Sequence, residues 1–396
     1  MPGEQSRKIG IITHYYKTKN YGGLLQAYAI CRCLNGLGYD AEQLCYLRSR
    51  TIPPSFLDRL KRLTLKKLWL KVNSWVIRKP LQERTLAMLL FAENKISHSA
   101  TVYTAETIQN CQTYDVYITG SDQVWNPDWY EPAFFLTFVP NSRKKIAYAA
   151  SLGHSSLTEA QAALYREHLR DFSAVSVREI DSVELLSALS PVQVEWLLDP
   201  VLLLTREQWD EICADRLVPR PYVFCYFLGE GIPPRRLALD FAKKRKLRVV
   251  SIPHLHGNYR KCDVGFGDEC LYKVSPEQFL SLIKYADYVF TDSFHALVFS
   301  QIYGRECAVF RRDGGNTMSN RIYSAMELFG CSERFCNTDE KEALDYIESL
   351  PPADPERCRP KLDALRKRSL EFLEENLSCQ EPPISSKTSP TASPKK

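Results

Sequence analysis

The sequence predicts an α/β protein whose two domains face a common cleft. Short apolar or β-branched runs alternate with helical segments along the chain, and the alternation restarts after Asp199-Pro200. Such alternation is typical of parallel sheets with helical crossovers. A chain of 396 residues is also long enough for two cores of ordinary size. Because loops at the carboxyl ends of parallel strands bind ligands, we expect the ligand site between the domains.

The first predicted domain comprises residues 1–200. It contains a helix over residues 24–34 and a basic helical insert at about residues 48–98. The apolar runs that predict its strands lie at residues 8–14, 41–47, 114–119, 144–150, 173–178 and 194–199.

The second predicted domain comprises residues 201–350. Near its start, Thr205 is expected to cap a short helix over residues 205–215. A C-terminal helix is expected within residues 351–377, and the tail at residues 378–396 is expected to be disordered because it is rich in Ser, Pro and Lys. The predicted strands of this domain lie at residues 222–227, 247–253, 288–291 and 306–310.

The composition excludes several classes of protein. Hydrophobic residues make up 44% of the chain and charged residues 25%, which is typical of a soluble globular protein. The chain has no run of about 18 apolar residues and no signal-peptide core at its N-terminus, so we expect a cytoplasmic location. The 13 cysteines are scattered, and the closest pair, Cys31 and Cys33, lacks a second cluster to complete a zinc site. We therefore expect neither a metal site nor a disulfide framework.

The most basic stretch runs from Arg48 to Lys79 and contains ten Lys or Arg residues against one acid, Asp58. Interleaved leucines and tryptophans predict a basic amphipathic helix. Such a helix is suited to peripheral contact with the anionic inner face of the plasma membrane, and equally to packing on the first domain by its leucines. We expect no nucleic-acid partner, since no nucleic-acid motif accompanies this stretch.

A histidine in the first turn of a predicted helix marks one candidate site. The strand at residues 288–291 leads towards His295, and Thr291, Asp292 or Ser293 can cap the helix between them. The free N–H groups and positive dipole end of such a helix bind anions. His295 is thus placed to contact a phosphate, and the helix field favours its neutral form unless the bound anion restores the proton.

Two further strand ends carry residues suited to ligand binding. The loop after the first strand contains Asn20, Gly22 and Gly23, and its glycines permit close approach of a ligand to the backbone, although their spacing is not the dinucleotide fingerprint. The strand at residues 114–119 is followed by carboxylate, amide and indole groups at residues 120–126. This mixture suits a polyhydroxylated ligand.

Six short motifs in this order resemble the polysaccharide pyruvyl transferase family over roughly residues 8–330. They are Asn20-Tyr21-Gly22-Gly23, Gly120-Ser121-Asp122-Gln123-Val124-Trp125-Asn126, Ala149-Ala150-Ser151-Leu152-Gly153, Val175-Ser176-Val177-Arg178-Glu179, Leu198-Asp199-Pro200 and Asp292-Ser293-Phe294-His295-Ala296. The resemblance implies two Rossmann-like domains facing a cleft, which is the GT-B-like arrangement. It also implies transfer of a pyruvyl group from phosphoenolpyruvate to a hexose of a surface polysaccharide or its lipid-linked precursor, forming a ketal. Phosphoenolpyruvate is then a co-substrate, and no cofactor is expected.

Each expected donor or catalytic residue has a structural alternative. Arg178 is placed like the family arginine that grips the donor, or is a surface arginine after a strand. His295 is expected to contact the donor and to act as the acid that protonates it. The alternative is a buried histidine with a structural role at the junction between strand and helix. Asp122 is expected to act as the base or to bind acceptor hydroxyls, or caps its own turn. His14 and Asp199 are interpreted as mainly structural.

The acceptor is expected on the first domain. There the indole of Trp125 offers a stacking face for a sugar ring, and Asn20 is equally well explained as a turn former. The full set of expected acceptor residues is Asn20, Gly22, Gly23, Gln123, Trp125 and Asn126.

One position departs from the family pattern. Members with demonstrated pyruvyl transfer tend to have Arg-Leu-His where this chain has Ser293-Phe294-His295, so an arginine expected to hold the donor is replaced by serine. We expect Arg321 to lie beside the cleft and to supply the missing charge. The substitution leaves open a GT-B-type glycosyltransferase that uses a nucleotide sugar. A third possibility is a non-catalytic glycan-binding or assembly protein.

Overall fold

The computed structural model describes residues 6–48, 78–254, 260–312, 320–336 and 342–378. Most of the predicted basic helix at residues 48–79 and the predicted tail after residue 378 lie outside the described residues. Among the described residues, no helix is long and apolar enough to cross a membrane.

In the described part of the first domain, the chain forms seven parallel strands and four α-helices. The strands are β1 (Lys8–Ile12), β2 (Asp40–Tyr46), β3 (His98–Tyr103), β4 (Val116–Thr119), β5 (Lys144–Ala150), β6 (Ala174–Val177) and β7 (Val194–Trp196). The helices are α1 (Tyr21–Gly36), α2 (Arg78–Lys95), α3 (Glu159–Leu169) and α4 (Asp181–Ser187). The strand order is β3-β2-β1-β4-β5-β6-β7.

A short helix, α5 (Arg206–Asp210), leads into the second domain, whose described residues form six parallel strands. These are β8 (Tyr222–Tyr226), β9 (Arg248–Ser251), β10 (Glu269–Cys270), β11 (Tyr288–Thr291), β12 (Glu306–Phe310) and β13 (Phe335–Cys336), in the order β10-β9-β8-β11-β12-β13. The helices that follow α5 are α6 (Ile232–Arg245), α7 (Pro276–Lys284), α8 (Phe294–Ile302), α9 (Asn320–Phe329), α10 (Ala343–Ser349) and α11 (Arg359–Leu377).

Each sheet reverses its strand order at one point, between β1 and β4 in the first domain and between β8 and β11 in the second. Ile12 pairs with Thr119 at the end of β1, and Tyr226 pairs with Thr291 at the end of β8. Ligands of open parallel sheets bind beyond the strand ends at such switch points. The predicted fold class, two Rossmann-like domains facing a cleft in a GT-B-like arrangement, is confirmed.

A continuous apolar core joins the two domains at the base of the cleft. Tyr21, the first residue of α1, stacks on Phe279 of α7 with ring centroids 4.6 Å apart, and its hydroxyl donates to Val274 O at 2.8 Å. The last helix, α11, returns to the first domain, where Arg368 binds Glu195. Burial of apolar surface on both sides of the joint therefore holds the two switch points opposite each other.

Three strands were not predicted, and all lie at sheet edges. The strand β3 has three consecutive exposed residues, which removes the apolar signature of a buried strand, and it begins where the expected helical insert ends, at His98. The strands β10 and β13 are two residues long. Edge strands of this kind carry too few buried side chains to be recognised by pattern.

Candidate functional site

A cleft of about 700 Å³ lies between the two switch points. Loops after β1 and β4 line it from the first domain, and loops after β8, β9 and β12 line it from the second. Its positively charged lining residues outnumber its acids, and they are Lys19, Arg48, Arg260, Arg312 and Arg321 against Asp122 and Glu230. Such a lining attracts an anionic ligand.

Four of the expected site residues line this cleft: Asn20, Asp122, Gln123 and Arg321. Asn20 also caps α1, because its Oδ1 accepts the N–H of Gly22 at 3.0 Å. Asp122 has a left-handed backbone with φ of 63°, and its carbonyl accepts the N–H groups of Val124 and Ser151. The turn-forming alternative for Asn20 thus holds alongside its place in the cleft lining, whereas the turn contacts of Asp122 come from its backbone carbonyl and not from its carboxylate.

Gly22 and His295 lie in direct contact across the two domains. A Cβ atom at position 22 would stand 2.0 Å from His295 Nδ1, so only glycine leaves room for the imidazole. His295 is 6% exposed and is not among the residues that line the cleft. Gly23 is similarly confined, since a Cβ there would stand 2.7 Å from the carbonyl oxygen of His14. Both glycines act through close packing of the chain rather than as exposed acceptor contacts.

Beneath the cleft, Arg178 is held in a buried cluster of charges. Its Nη1 donates to Asp199 Oδ2 at 2.6 Å, and its other nitrogens lie 3.9 Å from carboxylate oxygens of Asp122 and Glu179. The guanidinium also lies over the ring of Phe294, 4.4 Å from its centroid. Arg178 is 4% exposed, so the surface alternative is wrong, and its outward reach to a donor is limited by the bond to Asp199. Its Nε and Nη2 have no hydrogen-bond partner among the described residues.

Asp199, which was expected to be mainly structural, contacts residues from several segments around the site. One carboxylate oxygen accepts the N–H of Val201 and so caps the short helix at Pro200–Leu202. The other accepts from Arg178 and from Ser121 Oγ, and lies 3.8 Å from His295 Nε2. Asp199 therefore links the strand ends of β4, β6 and β11, three of the six that carry family motifs.

Burial and neighbouring charges shift the pKa values of this cluster. Burial lowers the pKa of His295 to about 4, an effect that Asp199 opposes and Arg178 reinforces. Burial acts to raise the pKa of Asp122, but the positive charge of Arg178 and the nearby His295 hold it below its ordinary value. The pKa of Arg321 is lowered to about 9, mainly by burial and further by the positive charges of Arg312 and Arg178. At neutral pH, Asp122 is ionised and His295 is neutral.

Two of the expected acceptor residues have structural roles instead. Trp125 is fully buried, stacks on Phe135 with centroids 5.4 Å apart, and donates from Nε1 to Phe134 O at 3.1 Å. Its indole therefore offers no face to a sugar. Asn126 is also buried, and its Oδ1 accepts the N–H of Asp128 at 2.9 Å to cap the 3₁₀ helix Pro127–Trp129.

The side chains of Ser293 and Asp292, which were expected to cap α8, have different roles in the structure. Ser293 occupies the N-cap position of α8 with its side chain buried and making no capping hydrogen bond. Asp292 instead binds the loop after β8, where its carboxylate accepts the N–H groups of Leu228 and Gly229 at 2.6 and 2.7 Å. The amides beyond the switch-point strand of the second domain are thus already occupied.

Sequence reasoning missed several lining residues, which share only their position after a strand end. They are His14, Lys19, Arg48, Trp129, Arg260 and Arg312. His14 was interpreted as structural, and it does bond to Gln123 O at 3.1 Å, yet it also faces the cleft. Arg312 follows β12 directly, and that placement was the one available signal for it. Among the described residues, no group of three His, Cys, Asp or Glu side chains is arranged to hold a metal ion.

Solved structures with a similar fold include the UDP-GlcNAc 2-epimerase from Methanocaldococcus jannaschii, with a TM-score of 0.52 and 11% identity over 91% of this chain and 99% of that chain. A putative UDP-N-acetylglucosamine 2-epimerase from Listeria monocytogenes has a TM-score of 0.49 and 11% identity over 96% of this chain and 99% of that chain. The calicheamicin glycosyltransferase CalG4 has a TM-score of 0.41 and 13% identity over 94% of this chain and 99% of that chain. At such identities the similarity concerns the fold alone.

A comparison with curated protein sequences finds no significant match. The family model described as polysaccharide pyruvyl transferase, in contrast, matches residues 20–314. This match covers most of the chain and includes the buried Arg178 cluster and much of the cleft lining, whereas His14, Thr18, Lys19 and Arg321 lie outside the matched range. The protein belongs to the polysaccharide pyruvyl transferase family.

Proposed function

We propose that this protein transfers the pyruvyl group of phosphoenolpyruvate to a hexose of a surface polysaccharide or of its lipid-linked precursor. Family membership supports a pyruvyl donor, and the positively charged cleft is the observation that carries the proposal. The proposed reaction takes place in the cytoplasm, with residues 48–79 as a peripheral contact to the inner face of the plasma membrane. These residues lie mostly outside the described ranges.

The donor would bind on the second domain. Arg321 and Arg312 both line the cleft, and the pKa of Arg321 is lowered first by burial and then by the positive charge of Arg312. A phosphate or carboxylate between them would remove this repulsion. Arg321 Nε is also buried without a hydrogen-bond partner among the described residues. These features support Arg321 and Arg312 as the substitute for the arginine that Ser293 replaces.

The proposed chemistry begins with a proton transferred to the methylene carbon of phosphoenolpyruvate, which makes C2 electrophilic. One sugar hydroxyl attacks C2, the bond from C2 to the phosphate oxygen breaks, and phosphate leaves. A second hydroxyl of the same sugar then attacks C2, and loss of its proton gives a cyclic ketal. The resulting C2 carries a methyl group and a carboxylate, so atoms and charges balance without a redox partner.

His295 is the proposed proton donor and Asp122 the proposed base. His295 is neutral when no ligand is bound, and a phosphate near the N-terminus of α8 would stabilise its protonated form. Because His295 lies beneath the lining residues, this step requires the donor to reach below them. Asp122 is ionised and faces the cleft, where it can accept the proton of the attacking hydroxyl.

A glycosyltransferase that uses a nucleotide sugar is the alternative, because Ser293 removes a positive charge. In that case a diphosphate would be expected on the amides after β8. Asp292 already accepts the N–H groups of Leu228 and Gly229 there. A diphosphate would have to displace this carboxylate, so the contact favours the pyruvyl donor.

The test is calorimetric binding of phosphoenolpyruvate and of a panel of nucleotide sugars under identical salt. We expect saturable binding of phosphoenolpyruvate that Arg321→Ala weakens about tenfold or more, the loss expected for a charge-assisted hydrogen bond. Loss of binding is also expected for His295→Ala. Arg357→Ala is the matched control, because this arginine is exposed and does not line the cleft. The affinity of Arg357→Ala for phosphoenolpyruvate should equal that of the wild type.

Selective binding of a nucleotide sugar would replace the pyruvyl proposal with the glycosyltransferase. Absence of binding to either donor class, with the protein folded by circular dichroism, would favour the non-catalytic glycan-binding role. Unchanged affinity in Arg321→Ala would remove that residue from the donor site. Release of inorganic phosphate in the presence of a hexose glycoside then measures the reaction itself.

A further inference from the structure

Trp129 is a large aromatic side chain exposed within the cleft. It is 40% exposed and lines the cleft on the side of the first domain. We infer that the indole of Trp129 is the platform on which the pyranose ring of the acceptor stacks. The inference rests on the proposed function in one respect, that the first domain holds the acceptor sugar.

The chemistry of an indole suits a pyranose. One face of a pyranose ring presents C–H groups, and its edge presents hydroxyls, so it is apolar on a face and polar around its rim. A half-exposed indole offers a flat apolar surface of matching size, and covering that surface is favourable. Binding pockets commonly combine such an aromatic face with a few precisely placed polar groups.

The backbone holds Trp129 in place before any ligand binds. It is the last residue of the 3₁₀ helix Pro127–Trp129, which Asn126 caps. Asp128 Oδ2 lies 3.0 Å from His154 Nε2, which ties the turn to the loop after β5. The carbonyl of Trp129 accepts from Arg48 Nη2 at 2.6 Å. A fixed platform loses little conformational entropy on binding, which favours affinity.

Polar groups suited to hydroxyls line the same cleft. Asp122 and Gln123 both belong to the lining, and they are 6% and 4% exposed. Gln123 Nε2 is buried and has no hydrogen-bond partner among the described residues. A donor left without a partner in such a position is costly unless a ligand or water satisfies it. These two side chains would orient the hydroxyls of a ring stacked on Trp129.

Trp129 and Trp125 differ in their exposure although they are close in the chain. Asn126 and Pro127 turn the chain between the two tryptophans, so that Trp125 enters the core and Trp129 faces the cleft. The stacking role expected for the motif at residues 120–126 therefore moves to the residue just beyond the turn.

The test measures binding of methyl glycosides of glucose, galactose, mannose and N-acetylglucosamine by saturation-transfer NMR titration, with and without phosphoenolpyruvate. We expect wild-type protein to bind at least one of these probes. Trp129→Ala should raise its Kd about tenfold or more, as for loss of a stacking aromatic, whereas Trp129→Phe should keep it within about threefold. Tyr346→Ala is the control, since this exposed aromatic does not line the cleft.

Phosphoenolpyruvate affinity is measured on the same samples and should be the same in Trp129→Ala as in the wild type. Equal hexoside affinity in Trp129→Ala and wild type, or no binding of any probe to the wild type under either condition, would overturn the inference. Hexoside binding that depends on Trp129 in a protein that does not bind phosphoenolpyruvate would support the inference while the proposed function fails. Thermal unfolding of each variant checks that the loss is not one of folding.

Discussion

The two domains share one strand order around their switch points but present different chemistry there. In the second domain, Arg260, Arg312 and Arg321 face the cleft, while Asp292 occupies the loop amides after β8. In the first domain, the strand ends carry Arg178 and Asp199 in a buried ion cluster, and the cleft lining combines the cations Lys19 and Arg48 with Asp122 and with polar and aromatic groups. The shared topology thus decides where ligands bind, and the side chains decide which ligand each half holds.

The comparison also shows how the halves are coupled. The buried cluster of the first domain reaches His295 of the second, which lies 3.8 Å from Asp199 and against Gly22. Burial acts to raise the pKa of Asp122 in the first domain, and Arg178, His295, His14 and finally Arg321 of the second domain lower it. Breaking the cluster should therefore affect the whole protein, whereas removing a cation from the cleft should affect ligand binding.

The largest effect is expected for Asp199→Ala. This change leaves Arg178 as a buried cation without its closest carboxylate, which is expected to lower the free energy of unfolding by about 3–5 kcal/mol. Urea unfolding at pH 7 measures the loss. Asp363→Ala is the control, because Asp363 pairs with Arg366 on the exposed side of α11 and should cost under about 1 kcal/mol. Equal losses in the two variants would mean that the cluster does not stabilise the fold.

A smaller effect is expected for Gly22→Ala. The added methyl carbon would overlap the imidazole of His295, and overpacking of this kind typically costs about 1–3 kcal/mol. Gly36→Ala in the same helix is the control, since no atom lies within 4 Å of the place that its added methyl carbon would take, and it should be neutral or stabilising. The double variant Gly22→Ala, His295→Ala should recover stability relative to Gly22→Ala. If the second change restores nothing, the contact across the domains is not the cause.

The smallest effect is expected from pH acting on His295. Its pKa is lowered from 6.5 to about 4 in the folded protein, so below pH 6.5 the unfolded chain binds a proton that the folded protein does not. Stability should therefore fall as pH decreases from 6.5 towards 4. Between pH 6.5 and 5.5 the loss from this one group is at most about 1.4 kcal/mol.

The measurement compares the free energy of unfolding of wild type and His295→Gln at pH 6.5 and 5.5. The variant should lose less stability over this interval. Burial also lowers the pKa of His14, but His14 is present in both proteins, so the difference isolates His295. Parallel pH profiles for the two proteins would show that His295 titrates normally.

The fold and the family followed from the sequence because both depend on patterns that are local in the chain. Central parallel strands are buried on both faces, so β1, β4, β5, β8 and β11 are continuous apolar runs. The edge strands β3, β10 and β13 lack that signature. The loops that bind ligands could be located because they must follow the ends of the central strands.

Individual roles in the site were harder to predict, as the two tryptophans show. Trp125 and Trp129 lie on either side of one turn, and the burial of Trp125 depends on its contacts with Phe134 and Phe135. Arg178 was expected to reach a donor, yet its partner Asp199 comes from the next strand end. In each case the deciding contact lies outside the motif that contains the residue.

The sequence by itself determined the α/β class, the two-domain plan, the family and the loops that form the site, because strand burial and strand-to-helix order are encoded in local apolar patterns. Only the tertiary structure decided which side chains of those loops face the cleft. Those orientations depend on contacts between distant segments, such as Gly22 with His295 and Asp199 with Arg178. Packing and charge pairing act through space, and their outcome is therefore set only when the two domains meet.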